Sequence, residues 1–285
     1  MATIDPYLRK AAGILQMARI PNCFMMGFAV IIGEFMSLGS GLTFYPVVIG
    51  FLVGFVLVAG SMAINDILDV EIDIINNPSR PIPSGRVSRI EATAFAAATI
   101  AIGLFFASTL SLPNVLIASV AVVLMLYYNR FGKKTGLPGN AAVSVNLAIP
   151  FLFGGAIGGF NMTLVVFALL AFLAGMGREI IKGVADAVGD SKRGVRTLAV
   201  TRGLGFASKT GAFFLVIAVF LSAVPIAFGM VSWLYAPIVL VCDAGFLYSA
   251  YSMAKNPSSQ NAVRSKNHAL VWMLVGLVAF VAGGL

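Results

Sequence analysis

The stretch FYPVVIGFLVGFVLVAGSMAINDILDVEID, residues 44–73, decides the fold. Residues 44–64 carry no charge, and about 20 such residues suffice for one helix to cross a bilayer. The run then ends in Asn65-Asp66-Ile67-Leu68-Asp69-Val70-Glu71-Ile72-Asp73. A second cluster, Asp186-Ala187-Val188-Gly189-Asp190, follows another apolar run, and the two segments hold six of the eleven acidic residues. Uncompensated carboxylates are costly at a membrane boundary. Asp69 with Asp73, and Asp186 with Asp190, are spaced i, i+4 and so share a helical face. Two such pairs facing each other make an oxygen-rich site suited to magnesium, which is held by a few carboxylates plus substrate phosphate oxygens. That is the chemistry of a diphosphate site placed where a lipid can reach it.

The rest of the chain fits a membrane. Hydrophobic residues make up 59 % and charged residues 11 %, against roughly 25 % charged in soluble domains. Residues 35–65, 92–129, 135–177 and 210–242 contain no Asp, Glu, Lys or Arg. Divided at Gly, Pro and Asn breaks, the chain predicts nine spans, at 21–39, 44–64, 91–111, 114–129, 141–159, 162–180, 209–230, 233–254 and 268–285. The expected fold is all-α: one polytopic transmembrane domain over residues 1–285. Residues 1–19 show no cleavage site after a short apolar run, so the first span is expected to be retained.

The cations set the orientation. All nineteen Lys and Arg lie in the N-terminal segment or in and at the edges of the loops after spans two, four, six and eight. The positive-inside rule places the N-terminus and these segments in the cytoplasm and the C-terminus outside, in a multi-pass protein of the cell membrane. The net charge of +8 serves topology, anionic headgroups and an anionic substrate, and needs no nucleic acid. No obligatory protein partner is evident.

The two polar stretches, 65–91 and 178–209, read as an internal repeat. Asp69 and Asp186 are 117 positions apart, as are Asp73 and Asp190, and Arg80 and Arg196 fall within one position of that offset. After the first cluster, residues 76–86 hold three prolines and a glycine, which preclude an ordinary helix. This shaped turn is expected to hold Arg80 near the carboxylates, where a guanidinium can bind phosphate oxygens bidentately. Tyr128, Arg130, Lys133 and Lys134 lie between spans four and five, and the second polar stretch adds Arg178, Lys182, Lys192, Arg193 and Arg196. Lys134, Lys192 and Arg193 are expected to serve topology alone.

Other polar residues read more simply. Glu34 is expected to be an exposed acid on the outer side, and His268 an interfacial residue at a helix start. Asp243 lies deep in span eight, where a lone acid is functional or paired. Cys23 and Cys242 are expected to be packing residues. With one histidine and two distant cysteines, His/Cys metal sites and Cys–His nucleophiles are excluded.

Asn65, Asp66, Asp69 and Asp73 followed by Arg80-Pro81 resemble the NDxxDxxxD…RP signature of the UbiA superfamily of intramembrane prenyltransferases. Asp186 and Asp190, followed by Gly194 and Thr197-Leu198-Ala199, resemble its second DxxxD motif, and Arg19-Ile20-Pro21-Asn22 its N-terminal motif. Within the superfamily, the wording DxEIDxINxPxRPIPSGRVS and GREIIKGVADxxGD…GVRTLAV is most similar to the archaeal digeranylgeranylglyceryl phosphate synthases. Quinone-, haem- and chlorophyll-pathway members share the motifs.

The resemblance implies magnesium bridging an isoprenyl diphosphate donor, with Asn65, Asp69 and Asp73 serving one metal and Asp186 with Asp190 the other. It implies that these four aspartates are catalytic. Arg80 and Lys133 would take the phosphates' charge, and Asp66, Tyr128, Arg19, Asn22, Lys182 and Arg196 would complete substrate binding. The C1–O bond then breaks to an allylic cation, which a dry bundle shields until a lipid-like acceptor attacks. In the archaeal reading the acceptor is the free hydroxyl of geranylgeranylglyceryl phosphate, and an Asp of either cluster could take its proton. In the aromatic reading a ring carbon attacks instead. A cation-coupled transporter fits less well, because these acids lie at one membrane face and transporter sites lie near the midplane.

Overall fold

A computed structural model describes residues 5–192 and 194–285, so Arg193 lies outside the described residues. Among them, nine helices or helix pairs are long and apolar enough to span a bilayer. They are α2 (Ile20–Leu38), α3 (Phe44–Leu68), α5 (Arg89–Ser108), α6 (Leu112–Arg130), α7 (Leu137–Gly158), α8 (Met162–Lys192), α10 (Leu204–Ser222) with α11 (Val224–Ala227), α12 (Tyr235–Lys255) and α13 (Ser259–Gly284). Shorter α1 (Pro6–Ala18), α4 (Val70–Asn76) and α9 (Leu198–Arg202) sit at the end of the bundle that carries the cations. Local chemistry sets the starts: Ser88 and Glu91 form a capping box on α5, and Ser111 and Ser258 cap α6 and α13.

The bundle reflects the repeat. The acid-bearing α3 packs between α2 and α5, and α8 packs between α7 and α10, while α2 and α7 join the halves. Where α2 crosses α7 the backbones nearly touch: a methyl on Gly33 would lie 2.7 Å from the Phe151 carbonyl oxygen and 3.2 Å from the Gly154 Cα. Small residues permit such approach, and in lipid close packing is the main attraction between helices. α8 is the central element, with 72 % of its apolar window buried against 22–50 % in the other spans. Phe44, Ile90, Phe105 and Phe220 project from the outside of the bundle, as a surface solvated by acyl chains requires.

Three expectations need correction. α8 does not stop at residue 180; it continues as helix to Lys192 and carries the second acidic pair. The charges that suggested a loop mark only where the helix leaves the apolar layer. Glu34 is not exposed but fully buried. It shares the face of Gly27 and Val30 that packs inward, and helix register rather than nearness to a loop decides its environment. Its side chain fills the space above Gly50, and neither carboxyl oxygen has a hydrogen-bond partner among the described residues. His268 is exposed but lies more than two turns inside α13, which starts at Ser259. Asp243 does find a partner: the Ser222 hydroxyl donates to its Oδ2 at 2.7 Å, and Tyr235 Oη donates to the Ser222 carbonyl at 3.2 Å. Both cysteines are buried and free.

Candidate active site

The first cluster lies where α3 passes into α4. The helix is interrupted at Asp69, yet the i to i−4 bonding continues, with Asp69 N–H to Asn65 O at 3.0 Å and Asp73 N–H to Asp69 O at 2.9 Å. The shared face of Asp69 and Asp73 therefore survives the break. Beyond α4 the proline-rich segment folds into consecutive turns, closed by Arg80 N–H to Asn77 O at 3.0 Å and Val87 N–H to Pro81 O at 3.1 Å. Arg86 Nη2 ties this segment to α1 through Gln16 Oε1 at 2.7 Å. The turns send Arg80 back over the carboxylates, as its sequence implies.

Three acids meet three cations there. Arg80 Nη1 reaches Asp73 Oδ2 at 2.6 Å and Asp66 Oδ1 at 3.3 Å. Arg19 Nη2 reaches the same Asp66 oxygen at 2.9 Å. Arg19 joins α1 to α2 with φ 53°, the one non-glycine residue of positive φ among those described. Lys133 Nζ, on the short turn between α6 and α7, bonds Asp69 Oδ2 at 2.7 Å. Burial pushes the Lys133 ammonium below its usual range; Asp69 opposes that shift, and Lys182 and Arg19 add to it. Asn65 immediately precedes Asp66 on the last turn of α3. Asp66 and Asp73 are buried, and Asp69 keeps 24 % of its side chain exposed.

The second cluster is carried by the C-terminal end of α8, which bears Asp186 and Asp190. Tyr128 is coupled electrostatically to Lys182, Glu179, Asp69 and Asp190, so it lies between the two halves. Glu179, buried, accepts from Arg178 Nη1 at 2.7 Å and Lys182 Nζ at 3.1 Å. Sequence reasoning gave Glu179 no role. Its signal is the stripe of Glu179, Lys182, Asp186 and Asp190 at i, i+3, i+7 and i+11, which charge counting by loop conceals.

Not every expected residue converges. Asp186 is half exposed, with Lys266 Nζ of α13 at 3.9 Å. Asn22 is exposed on the first turn of α2, where its N–H bonds the Arg19 carbonyl. Arg196 departs from its counterpart Arg80. Its side chain is exposed, and its backbone N–H joins Lys134 O at 3.3 Å. The turn before α9 follows a helix that ran straight on, so it has no proline-built fold-back to send Arg196 inward. Lys134 is exposed.

The donor set is chemically right for magnesium: amide and carboxylate oxygens, with no histidine or thiolate nearby. Among the described residues, however, no three His, Cys, Asp or Glu side chains gather closely enough to hold a metal alone. Asp66, Asp69 and Asp73 each hold a cation instead. Such a set fits a metal completed by substrate phosphate oxygens better than an all-protein cage.

The profile of the UbiA prenyltransferase family matches residues 26–282. The digeranylgeranylglyceryl phosphate synthase of Methanopyrus kandleri is 37 % identical over 271 residues, covering 94 % of this chain and 97 % of that one. The Methanocaldococcus jannaschii protein of the same name is 32 % identical over 282 residues, covering 98 % of each. A solved structure of a digeranylgeranylglyceryl phosphate synthase superposes with a TM-score of 0.83 at 31 % identity, covering 96 % of this chain and 98 % of that one. A UbiA homolog from Archaeoglobus fulgidus bound to GPP and Mg2+ gives 0.70 at 20 % identity, covering 97 % and 100 %, which speaks to the fold alone.

Proposed function

This chain belongs to the UbiA prenyltransferase family and is a multi-pass membrane prenyltransferase, and from that we propose that it transfers a geranylgeranyl group from its diphosphate to the free hydroxyl of geranylgeranylglyceryl phosphate. The observation that carries this reading is the near full-length identity of 37 % and 32 % to two synthases of that name. The product is the second ether bond of an archaeal membrane lipid. The chain acts as one catalytic unit, with its site and N-terminus on the cytoplasmic side and its C-terminus outside, because the cations cluster at that end of the bundle.

Magnesium would be held by Asn65, Asp69 and Asp73 in one half and by Asp186 and Asp190 in the other. When bound it supplies Lewis-acid charge stabilisation to the departing diphosphate. Arg80 and Lys133, partners of Asp73 and Asp69, would take negative charge from the phosphate oxygens, and Arg19 neutralises Asp66 beside them. The C1–O bond breaks, the diphosphate leaves with the bonding pair, and the allylic cation is held among apolar helices that exclude water. The acceptor oxygen attacks C1, and its proton passes to a carboxylate of the two clusters.

The test offers purified protein, with magnesium and geranylgeranyl diphosphate, two acceptors side by side: geranylgeranylglyceryl phosphate and 4-hydroxybenzoate. Mass spectrometry is expected to find the diether phosphate. Prenylated hydroxybenzoate as the main product would overturn the reading in favour of an aromatic acceptor.

A further inference from the structure

The geometry points to a dedicated anion subsite for the acceptor's phosphate, made by Lys182 and Arg178 and positioned by Glu179. This rests on the acceptor proposed above and names residues with no part in holding the donor. In the first cluster three cations face three carboxylates, and each pair involves a residue assigned to metal or donor. On α8 the ratio differs: one buried carboxylate, Glu179, holds two cations, with Arg178 Nη1 at 2.7 Å and Lys182 Nζ at 3.1 Å. The group keeps a net positive charge. Arg178 Nε is buried with no hydrogen-bond partner among the described residues, a donor left over in a place where leaving one unmet is costly.

Depth supports the assignment. Lys182 precedes Asp186 by four residues, which is about 6 Å towards the bilayer centre. The carbon under attack must lie on that inner side of the diphosphate, since the prenyl tail continues into the bundle. An acceptor whose hydroxyl reaches this carbon brings a phosphate on the same glycerol to the same level. Lys182 is also coupled to Tyr128, which is coupled to Asp69, so the subsite adjoins the donor's. Glu179 touches neither substrate; it fixes two flexible cations in one place, lowering the ordering entropy lost on binding.

The test compares kcat/KM for geranylgeranylglyceryl phosphate with that for its dephosphorylated alcohol, in wild type, Lys182→Gln and Glu179→Gln. Wild type is expected to prefer the phosphorylated acceptor. In Lys182→Gln that preference should fall roughly tenfold to hundredfold, the loss of one charge-assisted hydrogen bond, through KM for this acceptor and with KM for the donor little moved. Glu179→Gln keeps the shape of the side chain and should reduce the preference in the same direction by a smaller factor. An undiminished preference in both variants, or equal losses on both acceptors, would overturn the subsite. Wild type that transfers to both acceptors without preference would also overturn it while leaving the proposed transfer standing. No transfer to either would count against the acceptor assignment itself.

Discussion

Excess chelator is expected to stop prenyl transfer, and added magnesium to restore it. The reason lies in how the first cluster is paired. Asp69 and Asp73 are bound to Lys133 and Arg80 at 2.7 and 2.6 Å, so an incoming diphosphate meets cations whose charge is already neutralised. Only when these carboxylates have a stronger partner are the two cations available to phosphate oxygens. Metal-ion stabilisation of a leaving group is worth several kcal/mol, so a loss of about a thousandfold or more is expected, measured as diether phosphate formed per minute. Calorimetry offers a second readout, with diphosphate binding weak in chelator and strong in magnesium. Full turnover in excess chelator would sink the mechanism.

Asp69→Ala and Asp186→Ala are each expected to remove nearly all activity while leaving the bundle folded. They sit in different halves, so neither pair of ligands can replace the other. Asp186 is the easier to lose structurally: its contact with Lys266 at 3.9 Å is half exposed, and exposed ion pairs contribute roughly 0–1 kcal/mol. Removing Asp69 leaves the partly buried Lys133 unpaired, so Asp69→Asn, which keeps an oxygen for that ammonium, separates lost chemistry from lost packing. The expected result is a fall in kcat/KM on the order of a thousandfold for each variant, of the size seen when one transition-state charge stabiliser is removed, with thermal unfolding in detergent little changed. Near-normal turnover in either variant would remove that residue from the site.

Much of this was legible in the sequence because a membrane restricts the alternatives. A charge-free run must be helical to satisfy its backbone in lipid, and cations gathered after every second run leave little freedom in counting spans. Asp69 and Asp73 could be paired from spacing alone, because spacing is geometry once a helix is assumed. What escaped was decided by direction. Arg80 and Arg196 look equivalent in sequence, but one lies within a fold-back that holds three prolines and the other follows a long uninterrupted helix. Glu179 was hidden because it lies between two cations, where composition reads as a topology signal. Glu34 was misplaced because its rotation about α2 is fixed by packing against α3 and α7, and only the tertiary structure sets that.

The buried Glu34 has one more implication, for inheritance. Its carboxyl occupies the place where a side chain at position 50 would begin, and Gly50 provides that place by having none. A side chain at position 50 would force that carboxyl to move, so a change at one position alters what the other must accommodate. Among descendants of this sequence the two positions should behave as a single character, written on two helices and read as one.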